Sequence, residues 1–314
     1  MSPRDWENLS DEELLGLRIR DLGLSLEQSP VQKQIEKLYA ELAAAGMRFR
    51  PPCYAADEWF CPDKVPIIGI PFCLLHPRLK ALEHKMMLEV EGGTERECMK
   101  LLRHECGHAL NYAYFLYKKT RWRELFGPFA RRYVTQYTAK PYSRRYVMHL
   151  ANQYAQAHPD EDFAETFAVW LTPDSNWRDK YRNWPALKKL MYVDSLMKRI
   201  KDLPPLNARR DTPWSASRMT STLAVHYERK QSCLRDDFPG YYDGNLAELF
   251  TKNPGAVKEK KASRFLRNHR NEIISGVAKW TGQRKYDIAQ LMAKLIKRCD
   301  ALGLYATGNE ARTL

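Results

Sequence analysis

The residues whose types and spacing most directly suggest chemistry lie in the HExxH segment His104-Glu105-Cys106-Gly107-His108. Residues four positions apart on a helix lie on the same face, so both imidazoles can reach one zinc ion. Glu105 emerges beside them and would act on a water at the same ion, first as general base and then as general acid. Because zinc lowers the pKa of such a water to about 7, the segment predicts a hydrolytic centre.

A catalytic zinc site also needs a third protein ligand. Candidates lie in residues 158–168, where Glu161 and Glu165 are four residues apart on the helix face opposite Phe163 and Phe167. One carboxylate would bind the metal, and the other would accept the free N–H of a ligating histidine. The alternative is a solvated acidic helix start, which the helix dipole favours.

The chain resembles the gluzincin peptidases, in particular the bacterial family of putative zinc-binding metallopeptidases. The resemblance lies in the segment HECGH, which is followed some fifty residues later by EDFAETFA. The second segment is also similar to the active-site stretch of anthrax lethal factor. The resemblance implies a zincin-like peptidase that binds zinc through His104, His108 and Glu161. It also implies that Glu165 is the outer partner of the ligands.

The same resemblance implies a role for a tyrosine seven residues before the third ligand. This residue is Tyr154, whose phenol would donate to the oxyanion of the tetrahedral intermediate. The register of the ligand stays open at this point. Asp162 adjoins Glu161, and a shift by one residue would make Asp162 the ligand.

Two helices must position these residues. Thr94 and Glu97 form a capping-box pattern that opens a helix to about Lys118, which carries the HExxH segment. Pro159 is typical of the first position of a helix, and Pro173 ends the apolar pattern that follows it.

Short strands are predicted before the first of these helices, at residues 48–54, 65–75 and 86–91. The last of them could be the sheet edge that pairs with an extended peptide substrate. Residues 1–46 predict two helices, with capping boxes at Ser10 and at Ser29.

These elements predict a mostly helical α+β fold. Its expected parts are N-terminal helices at 1–46, a zincin-like metallopeptidase core at 47–245 and a basic helical region at 246–314. In the core, a small sheet would pack on the HExxH helix.

The formal net charge of +13 is concentrated near the C-terminal end of the sequence. Residues 251–314 hold 14 Lys and Arg against 5 Asp and Glu, so they carry nine of the thirteen charges. Such a region could bind nucleic acid or an acidic partner, which leaves an alternative function, a binding protein with a non-catalytic zinc site. No helix-turn-helix, zinc-finger or RNA-recognition signature supports that alternative, and a solvated basic helix face is the simpler interpretation.

Composition indicates the cellular setting. The longest near-apolar run, residues 65–75, is broken by Gly69 and Pro71 and is too short to cross a bilayer. The N-terminal residues lack the pattern of a secretory signal, and the seven cysteines include no CxxC pair. We therefore expect a cytoplasmic zinc metallopeptidase that cleaves peptides or proteins and has no membrane partner.

Overall fold

The computed structural model describes residues 5–133, 140, 143–232, 242–252 and 261–306. They divide between two compact units, Met1–Glu83 with Val90–Leu223 and His84–Glu89 with Ala224–Leu314. The boundaries expected at residues 47 and 246 stay predictions.

The described chain is mostly helical, with two small sheets. Its helices are α1 (Asp11–Leu15), α2 (Gln32–Ala44), α3 (Pro77–Met87), α4 (Glu95–Ala113), α5 (Thr120–Phe126), α6 (Pro159–Leu171), α7 (Trp177–Lys180), α8 (Leu187–Ile200), α9 (Leu223–Ser232), α10 (Asp243–Leu249), α11 (Ala262–Asn268), α12 (Arg270–Thr281) and α13 (Lys285–Leu302). Its strands are β1 (Cys53–Ala56), β2 (Ile68–Pro71), β3 (Phe250–Thr251) and β4 (Tyr305–Ala306). This arrangement confirms the predicted α+β, mostly helical fold class.

Helix α4 carries the HExxH segment and begins where the sequence predicts. The Thr94 hydroxyl accepts the backbone N–H of Glu97 at 3.2 Å, and the Glu97 carboxylate accepts the backbone N–H of Thr94 at 3.3 Å. The helix ends at Ala113, five residues before the predicted end, because Phe115 adopts a left-handed φ of 48° that cannot continue it.

Helix α6 begins at Pro159, as predicted. His158 caps it, since its imidazole accepts the backbone N–H of Asp160 at 3.1 Å. The apolar side of α6 is fully buried, with Phe163 and Phe167 at 0% exposure. Nearly the whole helix therefore lies inside the first unit.

The two helices approach closely where Gly107 of α4 faces Ala164 of α6. A Cβ atom added at Gly107 would lie 2.8 Å from the Ala164 Cα and 3.0 Å from its carbonyl oxygen. Only a residue without a side chain allows this backbone contact. The approach brings the HExxH face of α4 against the acidic face of α6.

Buried ion pairs attach each of these helices to a neighbour. Arg103 of α4 donates two hydrogen bonds to Glu41 of α2, at 2.7 and 2.6 Å. Lys189 of α8 donates to Asp162 of α6 at 2.5 Å. Separating either pair would leave an uncompensated buried charge. Both pairs therefore hold these helices against their neighbours.

The first sheet is smaller than predicted. Strands β1 and β2 pair in parallel, with Cys53 opposite Ile68, and β2 packs against α4. Of the strand predicted at 65–75 only Ile68–Pro71 is extended, and a 3-10 helix follows at Phe72–Leu75. Of the strand predicted at 48–54, only its last two residues belong to β1.

Two local predictions are wrong. Residues 86–91 form no strand, because α3 continues to Met87, and its buried Leu79 and Leu82 follow a helical period. This segment therefore offers no sheet edge to a peptide. Ser29 does not cap α2, which begins three residues later, because its hydroxyl donates to the Leu26 carbonyl at 2.6 Å.

The second unit has its own core, formed by α10, α11 and α13 with the antiparallel pair β3 and β4. Phe265, Leu266, Met292 and Ile296 are buried in it. The helices predicted in the last part of the chain are therefore present.

The substitution Gly107→Ala tests the close helix approach. The added methyl group meets backbone atoms of Ala164, which cannot rotate away. We expect the free energy of unfolding to fall by about 1–3 kcal/mol, the usual range for an overpacked core, as measured by urea denaturation. Gly276→Ala in α12 is the control, because nothing lies within 4 Å of its added Cβ. A Gly107→Ala protein as stable as the wild type would contradict the described packing.

Candidate metal centre

Helix α4 presents two buried imidazoles one turn apart. His104 and His108 are 2% and 6% exposed, and their Nε2 atoms lie 3.1 Å from each other. Two imidazole nitrogens at this distance can share at most one proton between them. The two nitrogens therefore need a shared cation or further hydrogen-bond partners at this distance.

Helix α6 adds a carboxylate oxygen to this pair. Glu161 Oε2 lies 3.0 Å from His104 Nε2 and 3.2 Å from His108 Nε2. Zinc bound tetrahedrally at 2.0–2.1 Å would separate neighbouring ligand atoms by about 3.3 Å. The three atoms thus have nearly the spacing of one face of a zinc tetrahedron, and within the described residues they form a group that could hold a metal ion.

Asp162, the alternative to Glu161, faces away from this group. Its Oδ2 accepts a hydrogen bond from Lys189, and burial raises the pKa of its carboxyl to about 7 against the opposing charge of Lys189. In the described structure, Glu161 is therefore the residue that meets the two imidazoles, and Asp162 joins α6 to α8.

Glu165 lies one turn beyond Glu161 and contacts the far side of the first imidazole. Its Oε1 is 2.8 Å from His104 Nδ1, and its Oε2 accepts the backbone N–H of Leu150 at 2.9 Å. An acceptor at Nδ1 fixes the tautomer that directs the Nε2 lone pair toward Glu161. This is the geometry expected of an outer partner.

Glu105 is buried beside the same cluster. Its side chain is 6% exposed, and burial raises the pKa of its carboxyl, although the charges of His104 and His108 oppose the shift. A raised pKa makes a carboxylate a stronger base, and a general base must accept a proton readily. Glu105 therefore has the surroundings that acid–base chemistry requires.

Tyr154 lies on a 3-10 helix at Ala151–Gln156, which packs against α6. The centre of its ring is 5.7 Å from that of His104. The structure therefore brings this tyrosine next to His104, while its catalytic role stays a prediction.

Sequence reasoning missed two further residues of this cluster, Asp160 and Tyr133. Asp160 Oδ2 lies 3.1 Å from His108 Nδ1, and the Tyr133 hydroxyl donates to Glu161 Oε1 at 2.9 Å. Tyr133 also stacks on His158, with ring centres 3.8 Å apart. The run of three acids at 160–162 could have drawn attention to Asp160, whereas no spacing pattern marks Tyr133.

The carboxylates control the protonation of the imidazoles. Burial alone would lower the pKa of His104, but its hydrogen bonds with Glu161 and Glu165 outweigh burial and raise it to about 10. The pKa of His108 is also well above its usual value, because Asp160 and Glu161 outweigh the effect of burial. Conversely, both imidazoles hold the pKa of Glu161 well below its usual range despite its burial.

The two helices of this centre lie in the part of the chain that matches a known family. Residues 85–176 match the profile of the family described as "Putative zinc-binding metallo-peptidase". This match confirms the resemblance read from the two motifs, and it covers α4 and α6 completely. No curated protein and no solved structure matches the chain.

Other regions add less to the functional picture. In the basic stretch of the C-terminal region, Lys258 and Lys260 lie outside the described residues, while Arg267 pairs with Asp300 at 2.8 Å. Among the described helices, none has the length and apolarity that crossing a bilayer demands.

The raised imidazole pKa values predict that zinc binding depends on pH. An imidazole binds a metal only through a nitrogen that carries no proton, and the neighbouring carboxylates raise the pKa of both histidines, so the affinity should fall as the pH falls. We expect about a tenfold loss per unit of pH for each displaced proton, measured by competition with a chromogenic chelator between pH 6.5 and 8.5. An affinity that does not change across this range, after correction for the chelator, would refute the prediction.

Proposed function

We propose that the protein is a zinc-dependent metallopeptidase that hydrolyses peptide bonds of peptides or proteins. The observation that carries the proposal is the meeting of two imidazole nitrogens and one carboxylate oxygen at 3.0–3.2 Å beside the buried Glu105. The match of residues 85–176 to the metallo-peptidase family supports the same reaction class.

The donor set favours zinc over other common divalent ions. Mg²⁺ and Ca²⁺ prefer sites made only of oxygen ligands, whereas two imidazoles with one carboxylate are the ligands of many catalytic zinc sites. His104, His108 and Glu161 would hold the ion and leave a position open for water and substrate. Bound there, zinc would polarise the scissile carbonyl and lower the pKa of a coordinated water to about 7.

The remaining residues would each perform one step around the substrate. Glu105 takes a proton from the attacking water and returns it to the nitrogen of the leaving amine. The Tyr154 phenol donates a hydrogen bond to the oxyanion that develops on the carbonyl oxygen. Glu165 keeps His104 in its ligating orientation throughout the reaction.

The substitution Glu105→Gln separates metal binding from catalysis. The variant keeps the size of the side chain and should bind zinc stoichiometrically, but without its base it should lose hydrolysis of a fluorogenic peptide mixture by about 10²–10⁴-fold. Glu95→Gln, an exposed change on the same helix, is the matched control. An active Glu105→Gln enzyme would overturn the assigned role, and wild-type protein without zinc affinity would overturn the function.

The substitution Tyr154→Phe tests the second catalytic assignment. It removes only the hydroxyl group, so zinc content should stay unchanged while kcat falls by about 10²–10³-fold, the usual cost of one oxyanion donor. Kinetics on the same peptide mixture measure the change. If KM alone rises, Tyr154 binds substrate and does not stabilise the transition state.

A further inference from the structure

We infer that Asp160 is a second histidine-orienting carboxylate, which holds His108 for metal binding as Glu165 holds His104. The inference rests on the proposed function and adds a positioning residue to it.

The first observation is the place of Asp160 against the far side of His108. Its Oδ2 lies 3.1 Å from His108 Nδ1, the ring nitrogen that points away from Glu161. Nδ1 makes no well-aligned hydrogen bond within the described residues. The interaction between Asp160 and this nitrogen is therefore a close charge contact and not a linear hydrogen bond. A buried ring N–H needs an acceptor, and Asp160 Oδ2 is the nearby oxygen that the described structure offers.

The second observation is that other side chains fix the Asp160 carboxylate. Asn111 Nδ2 donates to its Oδ1 at 2.7 Å, and the Tyr112 hydroxyl donates to its Oδ2 at 2.5 Å. Both donors follow His108 on α4 by about one turn, so the helix that carries the imidazole also aligns its acceptor. The carboxylate therefore has no freedom to turn away from the ring.

The third observation is burial. Asp160 is 1% exposed, and a carboxylate withdrawn from water costs several kcal/mol unless charged or polar groups compensate it. A solvated acidic helix start would not be buried in this way. The cost is offset by two strong donors and by the imidazole, which makes the residue part of the centre rather than of the surface.

The chemical consequence follows from the tautomer of His108. A carboxylate at Nδ1 keeps the proton on that nitrogen and leaves the Nε2 lone pair directed toward Glu161. It also raises the basicity of the ring as a ligand. Helix α6 would thus supply one ligand, Glu161, and the outer partners of both histidines, Asp160 and Glu165.

The zinc affinity of the full-length protein with Asp160→Asn tests this inference. We expect the dissociation constant, measured by competition with a chromogenic chelator, to rise by about 10–100-fold, the usual cost of losing an outer partner. Asp162→Asn is the matched control, because this residue lies two positions away, is equally buried and pairs with Lys189 instead. It should lower the thermal midpoint without weakening zinc binding.

A spectroscopic measurement separates positioning from a general loss of structure. In the cobalt-substituted protein, Asp160→Asn should shift the visible absorption bands, since these report ligand geometry, and Asp162→Asn should leave them unchanged. Equal effects of the two variants on affinity and spectrum would overturn the inference, because they would indicate a structural role.

The outcomes also distinguish this inference from the proposed function. If the wild type binds zinc and Asp160→Asn binds it equally well, the inference fails while the function stands. If the wild type binds no zinc, the function fails. Should Asp160→Asn not fold, Tyr112→Phe removes one donor to the same carboxylate and should weaken zinc binding by about fivefold. Unchanged affinity in that variant would again overturn the inference.

Discussion

The burial of four carboxylates on one helix is the constraint on which the rest of the structure depends. Asp160, Glu161, Asp162 and Glu165 are each at most 5% exposed, so every negative charge must find a partner inside the protein. Lys189 compensates Asp162. The other three face α4, where two imidazoles and two neutral donors stand opposite them. A divalent cation between the imidazoles and Glu161 would offset two of these three negative charges.

The close approach of α4 and α6 makes these contacts possible. Gly107 lets the two backbones meet, and the contact lies within the HExxH segment itself. A side chain at this position would press on the Ala164 backbone of α6, the helix that carries Glu161. The pair of Arg103 with Glu41 holds α4 on its other side. Stability and chemistry therefore use the same interface, and a change that separates the helices should affect both.

Much of this centre could be predicted because its signals are local. The capping box at Thr94 and Pro159 at the start of α6 act through neighbouring residues, and they mark where each helix begins. The spacing of His104 and His108 depends only on helix geometry. Tyr133 could not be predicted, since its contact with Glu161 spans 28 residues and follows no period. The strand predicted at residues 86–91 is absent, because the apolar residues before Gly92 favour a strand only locally, whereas α3 continues to Met87 and Leu88 adopts a left-handed φ of 63°.

The coordination of the metal is the central claim, and X-ray absorption spectroscopy of the zinc-loaded protein tests it most directly. The account predicts four nitrogen or oxygen neighbours at about 2.0–2.1 Å, with the scattering signature of two imidazoles. Sulfur neighbours at about 2.3 Å, or a shell with fewer than two imidazoles, would contradict it.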